Sequence, residues 1–201
     1  MPKIEKITKQ TENPYVNLYL VEGKNKADHP FRYYVASRAK TMEALKIKTK
    51  KNTPDGVLMY SLYGEKRDKI VLVRQYRVSI DDYIYEFPAG LVEPGEDFHE
   101  GAVREMYEET GLKLEPLKVD PAFEKPYFTT VGMTDESCAT VYGYASGEIS
   151  KAAQEDSEEI EIVLADRTEV KRILKEERVA IMCAYMLMHF LKDEDPFEFL
   201  N

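Results

Sequence analysis

Residues 90–112 read GLVEPGEDFHEGAVREMYEETGL. Pro94-Gly95 makes a tight turn. Asp97 follows as an N-cap candidate with Glu100 three residues on, a capping-box arrangement, and Gly111 supplies a C′ stop, so the spacing predicts a helix from about Phe98 to Thr110. On that helix Glu105 and Glu109 are four apart and Glu108 is three from Glu105, so all three carboxylates can project toward one side. Like charges at such spacings repel and weaken an isolated helix, which makes the cluster costly unless a cation sits there. Donors that are all oxygen favour Mg2+ or Mn2+ over zinc. The bland alternative is a solvated acidic face.

Working outward, the segments before this helix read as strands: Val57 to Leu62 and Ile70 to Tyr76, joined by a Gly64 to Asp68 turn, then Tyr83 to Phe87, with Pro88-Ala89-Gly90 breaking the pattern. Beyond the helix, strands are expected at Ala139 to Ala145 and Ile160 to Leu164, and helices at about Arg167 to Glu176 and Arg178 to Leu191. Strands and helices mixed in this order argue for an α/β or α+β sandwich. Nearer the N-terminus, Tyr15 to Val21 and Phe31 to Ser37 alternate apolar and polar residues, with Gly23 to His29 as a hairpin connection. Residues 38–55 carry six basic side chains, Arg38, Lys40, Lys46, Lys48, Lys50 and Lys51, and read as a solvated linker or edge strand. We therefore expect an N-terminal β module over residues 1–55 and a larger domain over residues 56–201.

The chain of 201 residues is 43% hydrophobic, enough for a real core, and its formal charge of −9 gives no chain-wide attraction to nucleic acid or anionic lipid. An anionic substrate would need local cations or a metal. Cys138 and Cys183 have no C-x-x-C spacing, and His29, His99 and His189 no metal spacing, so neither a zinc site nor a disulfide framework is expected. The first residues lack an apolar signal core, and the apolar stretch Val179 to Leu191 is interrupted by His189 and too short for a span. A soluble, cytoplasmic protein with buried thiols is the expectation. Met182, Met186 and Met188 with Tyr185 and Phe190 read as helix core or subunit contact.

Gly90, Glu96, Arg104, Glu105, Met106, Glu108, Glu109, Gly111 and Leu112 fit the pattern G-x5-E-x7-R-E-U-x-E-E-x-G-U, U being a bulky apolar residue, at every specified position. This is the Nudix box, and the chain resembles a Nudix hydrolase. The resemblance implies an α/β/α sandwich preceded by a small antiparallel β module. It implies a loop-helix-loop holding Mg2+, or Mn2+, against a diphosphate that water attacks. Glu105 and Glu109 would be the principal metal ligands, Glu108 a further ligand or water holder, and the backbone carbonyl of Ala89 an additional one. Arg104 would orient the glutamates, Glu96 would brace Arg104, and Gly90 and Gly111 would serve backbone conformation.

Val73-Arg74-Gln75-Tyr76-Arg77, followed by Tyr85-Glu86-Phe87-Pro88-Ala89-Gly90-Leu91, is similar to the branch that cleaves ADP-ribose and nucleoside diphosphate sugars. By that resemblance Arg77 would contact the diphosphate and Glu86 would bind the nucleotide or the metal shell. The branch places an acid on a loop after the box; Gly147 to Glu159 fits, with Glu155, Asp156, Glu158 and Glu159 available, and Glu158 lies where the resemblance best puts the base. The N-terminal module resembles the part such enzymes use to dimerise and to cover the base, which implies a homodimer. Phe31, Tyr33 and Tyr34 read by default as core or interface aromatics. The chain departs from the ADP-ribose pattern at Phe128, where a proline is common, and at Val131, which replaces the proline of an S-P-G-x-x-x-E loop. Other substrates consistent with the box are dinucleoside polyphosphates, GDP-sugars and NADH. A non-catalytic ADP-ribose sensor is the alternative of a different class, and the intact Glu105, Glu108 and Glu109 argue against it.

Overall fold

Strand β1 (Lys3–Lys9) pairs antiparallel with β2 (Asn17–Lys24), and β2 pairs with β3 (Pro30–Ser37) to give a three-stranded sheet ordered β1-β2-β3. The computed structural model describes residues 1–154 and 159–200. These form two compact units, Met1–Asp55 with Pro126–Cys138, and Gly56–Lys125 with Ala139–Asn201.

In the first unit the β2–β3 hairpin turns where the side chain of Asn25 accepts from the amides of Ala27 and His29 and Asp28 takes a left-handed φ of 59°. Strand β1 carries no period-2 signal, because Ile4 and Ile7 are three apart. A bulge resolves this: Ile4 pairs with Gly23 but Lys6 with Glu22, and the extra residue brings Ile4 and Ile7 to one face, opposite Gly23 and Val21. Residues 38–55 are not a strand; they contain a one-turn helix α1 (Lys46–Thr49), preceded by the buried Leu45 and ended by Lys50 at φ 58°. Tyr33 and Tyr34 are not core residues, being 44% and 50% exposed.

The second unit is built on β4 (Gly56–Tyr63) and β5 (Lys69–Arg77), with β6 (Asp82–Glu86) paired to β5 and β7 (Ala89–Leu91) paired to β4. Then come α2 (Phe98–Thr110), β8 (Lys113–Pro116), α3 (Pro121–Glu124), β9 (Tyr127–Phe128), β10 (Ser137–Ser146), β11 (Ile160–Ala165), α4 (Arg167–Glu176) and α5 (Ile181–Lys192). The larger sheet runs β11-β5-β4-β10-β8. Of the pieces in residues 126–138, β9 pairs with Ser137 and Cys138, and the stretch 130–136 docks on β3: the amide of Ala36 donates to the carbonyl of Met133, and Arg38 pairs with Glu136 at 2.8 Å.

Strand β4 is buried along nearly its whole length and divides two cores by alternation. Val57 and Met59 face Ala102, Met106 and Leu112 of the α2 layer, together with Val71, Ala139 and Val141. Leu58, Tyr60 and Leu62 face Val170, Ile173, Leu187 and Phe190 of α4 and α5. The result is the α/β/α sandwich, each large side chain contributing about 1.5–3 kcal/mol on full burial. Helix α4 begins where the Asp166 side chain accepts from the amides of Thr168 and Glu169. Helix α5 starts at Ile181 rather than Arg178, because residues 178–180 are drawn into pairing with β6: the amide of Tyr85 donates to the carbonyl of Arg178, and that of Ala180 to the carbonyl of Tyr85. The cysteines are free; Cys183 is buried and Cys138 half-buried, with burial pushing the Cys138 thiol up to about 11. Among the described residues no helix is long and apolar enough to cross a membrane.

Candidate active site

Helix α2 starts and stops at the residues its sequence prescribes. The Asp97 side chain accepts from the amide of His99 at 2.9 Å, and Gly111, at φ 74°, donates its amide to the carbonyl of Tyr107 at 2.8 Å. With Ala102 and Met106 in the core, the helix presents Arg104, Glu105 and Glu108 away from it.

Arg104 is the hub. Its Nε donates to Glu96 Oε1 at 2.9 Å and one Nη to Glu96 Oε2 at 3.0 Å, a bidentate pair. The other Nη donates to Glu105 Oε1 and to Glu108 Oε2, both at 2.9 Å, and the carbonyl of Leu91 accepts at 3.2 Å. Hydrogen bonding to Glu96 first, against an opposing effect of burial, and then to Glu105 and Glu108, holds the guanidinium well above its ordinary range. In turn Arg104, and next the amide of Glu93, keep the Glu96 carboxyl below the usual carboxylate range. Arg104 therefore offsets the repulsion among the acids.

Two further contacts tie the acids to β7. The buried Glu109 accepts from the amide of Ala89 at 3.1 Å. At Gly90 a Cβ would lie 1.8 Å from the carboxyl carbon of Glu105. Gly90 does not adopt a left-handed φ, so its requirement is room for the Glu105 carboxylate and not the backbone freedom expected from sequence. At Gly111 both demands hold, since its φ is left-handed and a Cβ would lie 2.6 Å from Ser150.

Glu105 and Glu109 thus flank the Ala89–Gly90 peptide, with Glu108 beside Arg104. Among the described residues no three acid, thiol or imidazole groups converge on a single point as metal ligands. The donor set, oxygens on two largely buried carboxylates against a strand peptide, nevertheless fits Mg2+ or Mn2+. Arg77 and Glu86 form a separate ion pair of 2.7 Å at the ends of β5 and β6. Glu158 lies outside the described residues, as do Glu155 and Asp156. Glu159 is described: its carboxylate accepts from the Tyr83 hydroxyl and its carbonyl from the amide of Tyr76. Sequence reading did not find Gln154, whose side-chain amide donates to the carbonyl of Glu109 at 2.6 Å, since a lone glutamine in a loop has no spacing to betray it.

The NUDIX domain family model matches residues 52–183, well over half of the chain and all of this site. The chain belongs to the Nudix family. Among its Nudix and other relatives, the ADP-sugar pyrophosphatase of Mus musculus is 35% identical over 88 residues, 42% of this chain and 40% of that protein. The ADP-ribose pyrophosphatase of Saccharomyces cerevisiae is 36% identical over 80 residues, 39% of this chain and 35% of that one. A methanol dehydrogenase activator of Bacillus methanolicus is 32% identical over 130 residues, 63% of this chain and 65% of that one. The matched segments span less than two thirds of each of these relatives. A crystal structure of an ADP compounds hydrolase superposes with a TM-score of 0.68 at 17% identity, covering 95% of this chain and 94% of that one, and shows the Nudix fold.

Proposed function

We propose that this chain hydrolyses the diphosphate of ADP-ribose or a related nucleoside diphosphate sugar, in the cytoplasm and with Mg2+ or Mn2+, giving a nucleoside monophosphate and a sugar phosphate. The observation that carries the reading is the seating of Glu105 and Glu109 against the Ala89–Gly90 peptide, with Glu108 and Glu105 both bonded to Arg104. Glu105, Glu108, Glu109 and the Ala89 carbonyl would hold the metal. When bound there, such an ion would supply charge neutralisation of the diphosphate and a lowered pKa for the attacking water.

The chain's own groups supply the rest. Glu96 braces Arg104, which orients Glu105 and Glu108. Arg77 offers a guanidinium to the diphosphate, which competes for it with Glu86, and Glu86 is then placed to bind the nucleotide or a water of the metal shell. Glu158 takes the proton of the attacking water as a P–O bond forms and the diphosphate bridge breaks. Glu158→Gln should lower kcat with KM nearly intact, and an unchanged kcat would move the base to another acid of the loop.

Product release from ADP-ribose, ADP-glucose, GDP-mannose, NADH and diadenosine polyphosphates, with Mg2+ and with EDTA, tests the reading. Metal-dependent cleavage of an ADP-sugar supports it; cleavage confined to NADH or a diadenosine polyphosphate replaces the substrate. Binding of ADP-ribose without cleavage of any of them replaces the enzyme by a sensor. A second reading, activation of a dehydrogenase, is favoured by the match to the Bacillus methanolicus activator. A methanol dehydrogenase assay with and without the chain tests that one.

A further inference from the structure

Glu108 and Glu109 sit in the last turn of α2, where backbone carbonyls lack helical partners and helices fray. A metal ligand on a fraying turn is poorly placed, because productive geometry tolerates deviations of only about 0.5 Å. Here the end of the helix is held from outside. Beyond the helix's own cap bond from Gly111 to the carbonyl of Tyr107, the amide of Ser150 donates to the carbonyl of Thr110 at 2.9 Å, and the Gln154 side chain donates to the carbonyl of Glu109 at 2.6 Å. Ser150 also packs where any side chain on residue 111 would go. The segment that supplies these donors is itself tethered, since the Tyr63 hydroxyl donates to the carbonyl of Gly147 at 2.8 Å.

We infer that residues 147–154 form a clamp on the metal-binding turn, with Gln154 as a positioning residue for Glu109. Glu109 is then held through its side chain by the Ala89 amide and through its main chain by Gln154. An ordinary helix cap would stabilise α2 as a whole. A clamp acts on the turn that carries the ligands, so its loss appears in metal affinity before it appears in global stability. The inference rests on the proposed metal role of Glu109.

The test is Mn2+ binding without substrate, followed by electron paramagnetic resonance, on the full chain and on three variants, each also melted. Gln154→Met keeps the length of the side chain and removes its donor. Gln154→Glu removes the donor and sets a carboxylate against the carbonyl. Asp97→Ala cuts the cap at the opposite end of the same helix. The expected result is a dissociation constant for Mn2+ raised about tenfold in both Gln154 variants, with Tm within a few degrees of the parent. Asp97→Ala should lower Tm and leave Mn2+ affinity unchanged. Unaltered affinity in Gln154→Met, or an equal loss in Asp97→Ala, overturns the clamp while the metal site stands. A parent chain that binds no Mn2+ overturns the metal site, and the clamp with it.

Discussion

Gly90 sets the tolerance of the site. A methyl group there would fall 1.8 Å from the carboxyl carbon of Glu105, and the obstacle is the proposed ligand itself, pinned at its other side by Arg104. Gly90→Ala should therefore reduce Mg2+-dependent turnover by about a hundredfold while the protein still folds with a cooperative melt; normal turnover would show that Glu105 need not touch this strand. Glu105→Gln should cost at least as much, because it replaces an anionic ligand by a neutral one. Near-normal kcat in saturating Mg2+ would remove Glu105 from the metal site. At this scale the sequence was legible where spacing sets a contact: neighbouring positions on one helix are enough to bring Arg104 against Glu105 and Glu108, whereas the seat of Glu109 against Ala89 depends on another element. Steric reasons were not legible, since whether a glycine serves torsion or space depends on what another element brings near it. Gln154 was hidden for the same cause, its partner lying forty-five positions away.

Elements whose ends are set locally could be read from their own residues. Helix α2 runs from Phe98 to Thr110 because Asp97 and Gly111 lie at its ends, and α4 runs from Arg167 to Glu176 behind Asp166. Elements whose ends are set by partners could not. The bulge that makes β1 a strand exists only against Gly23 and Glu22, and the late start of α5 only against Tyr85. The α2 cap yields a pH prediction. The amide of His99 lowers the Asp97 carboxyl below its ordinary value, so the folded value lies below the unfolded one. The charged cap's contribution is thus present above the unfolded value, near about 3.9, and is lost as pH falls through the folded value. Urea unfolding should show Asp97→Ala less stable than the parent by about 1 kcal/mol at pH 7, with the difference shrinking as the pH drops below about 4. A difference that does not change with pH would mean that the carboxylate's charge contributes nothing to the cap.

Taken whole, the molecule has a charge of −9 and gathers its proposed anion chemistry at one helix, so its activity should vanish with chelation and return with added Mg2+ or Mn2+. The first unit leaves Leu18 and Tyr34 exposed on one face of its sheet, a pair that suits the proposed homodimer, and light scattering of the full chain should give twice the monomer mass. A monomer across micromolar concentrations would reject it. That unit is discontinuous in sequence: residues 1–55 are completed by residues 126–138. During synthesis from the N-terminus, the early strands must wait while β4 to α3, including the whole acid-bearing helix, leave the ribosome. Nascent chains arrested before Cys138 would present the three-stranded sheet without the strip that docks on Ala36 and Arg38, and the order of translation, not only the final contacts, decides when this protein becomes whole.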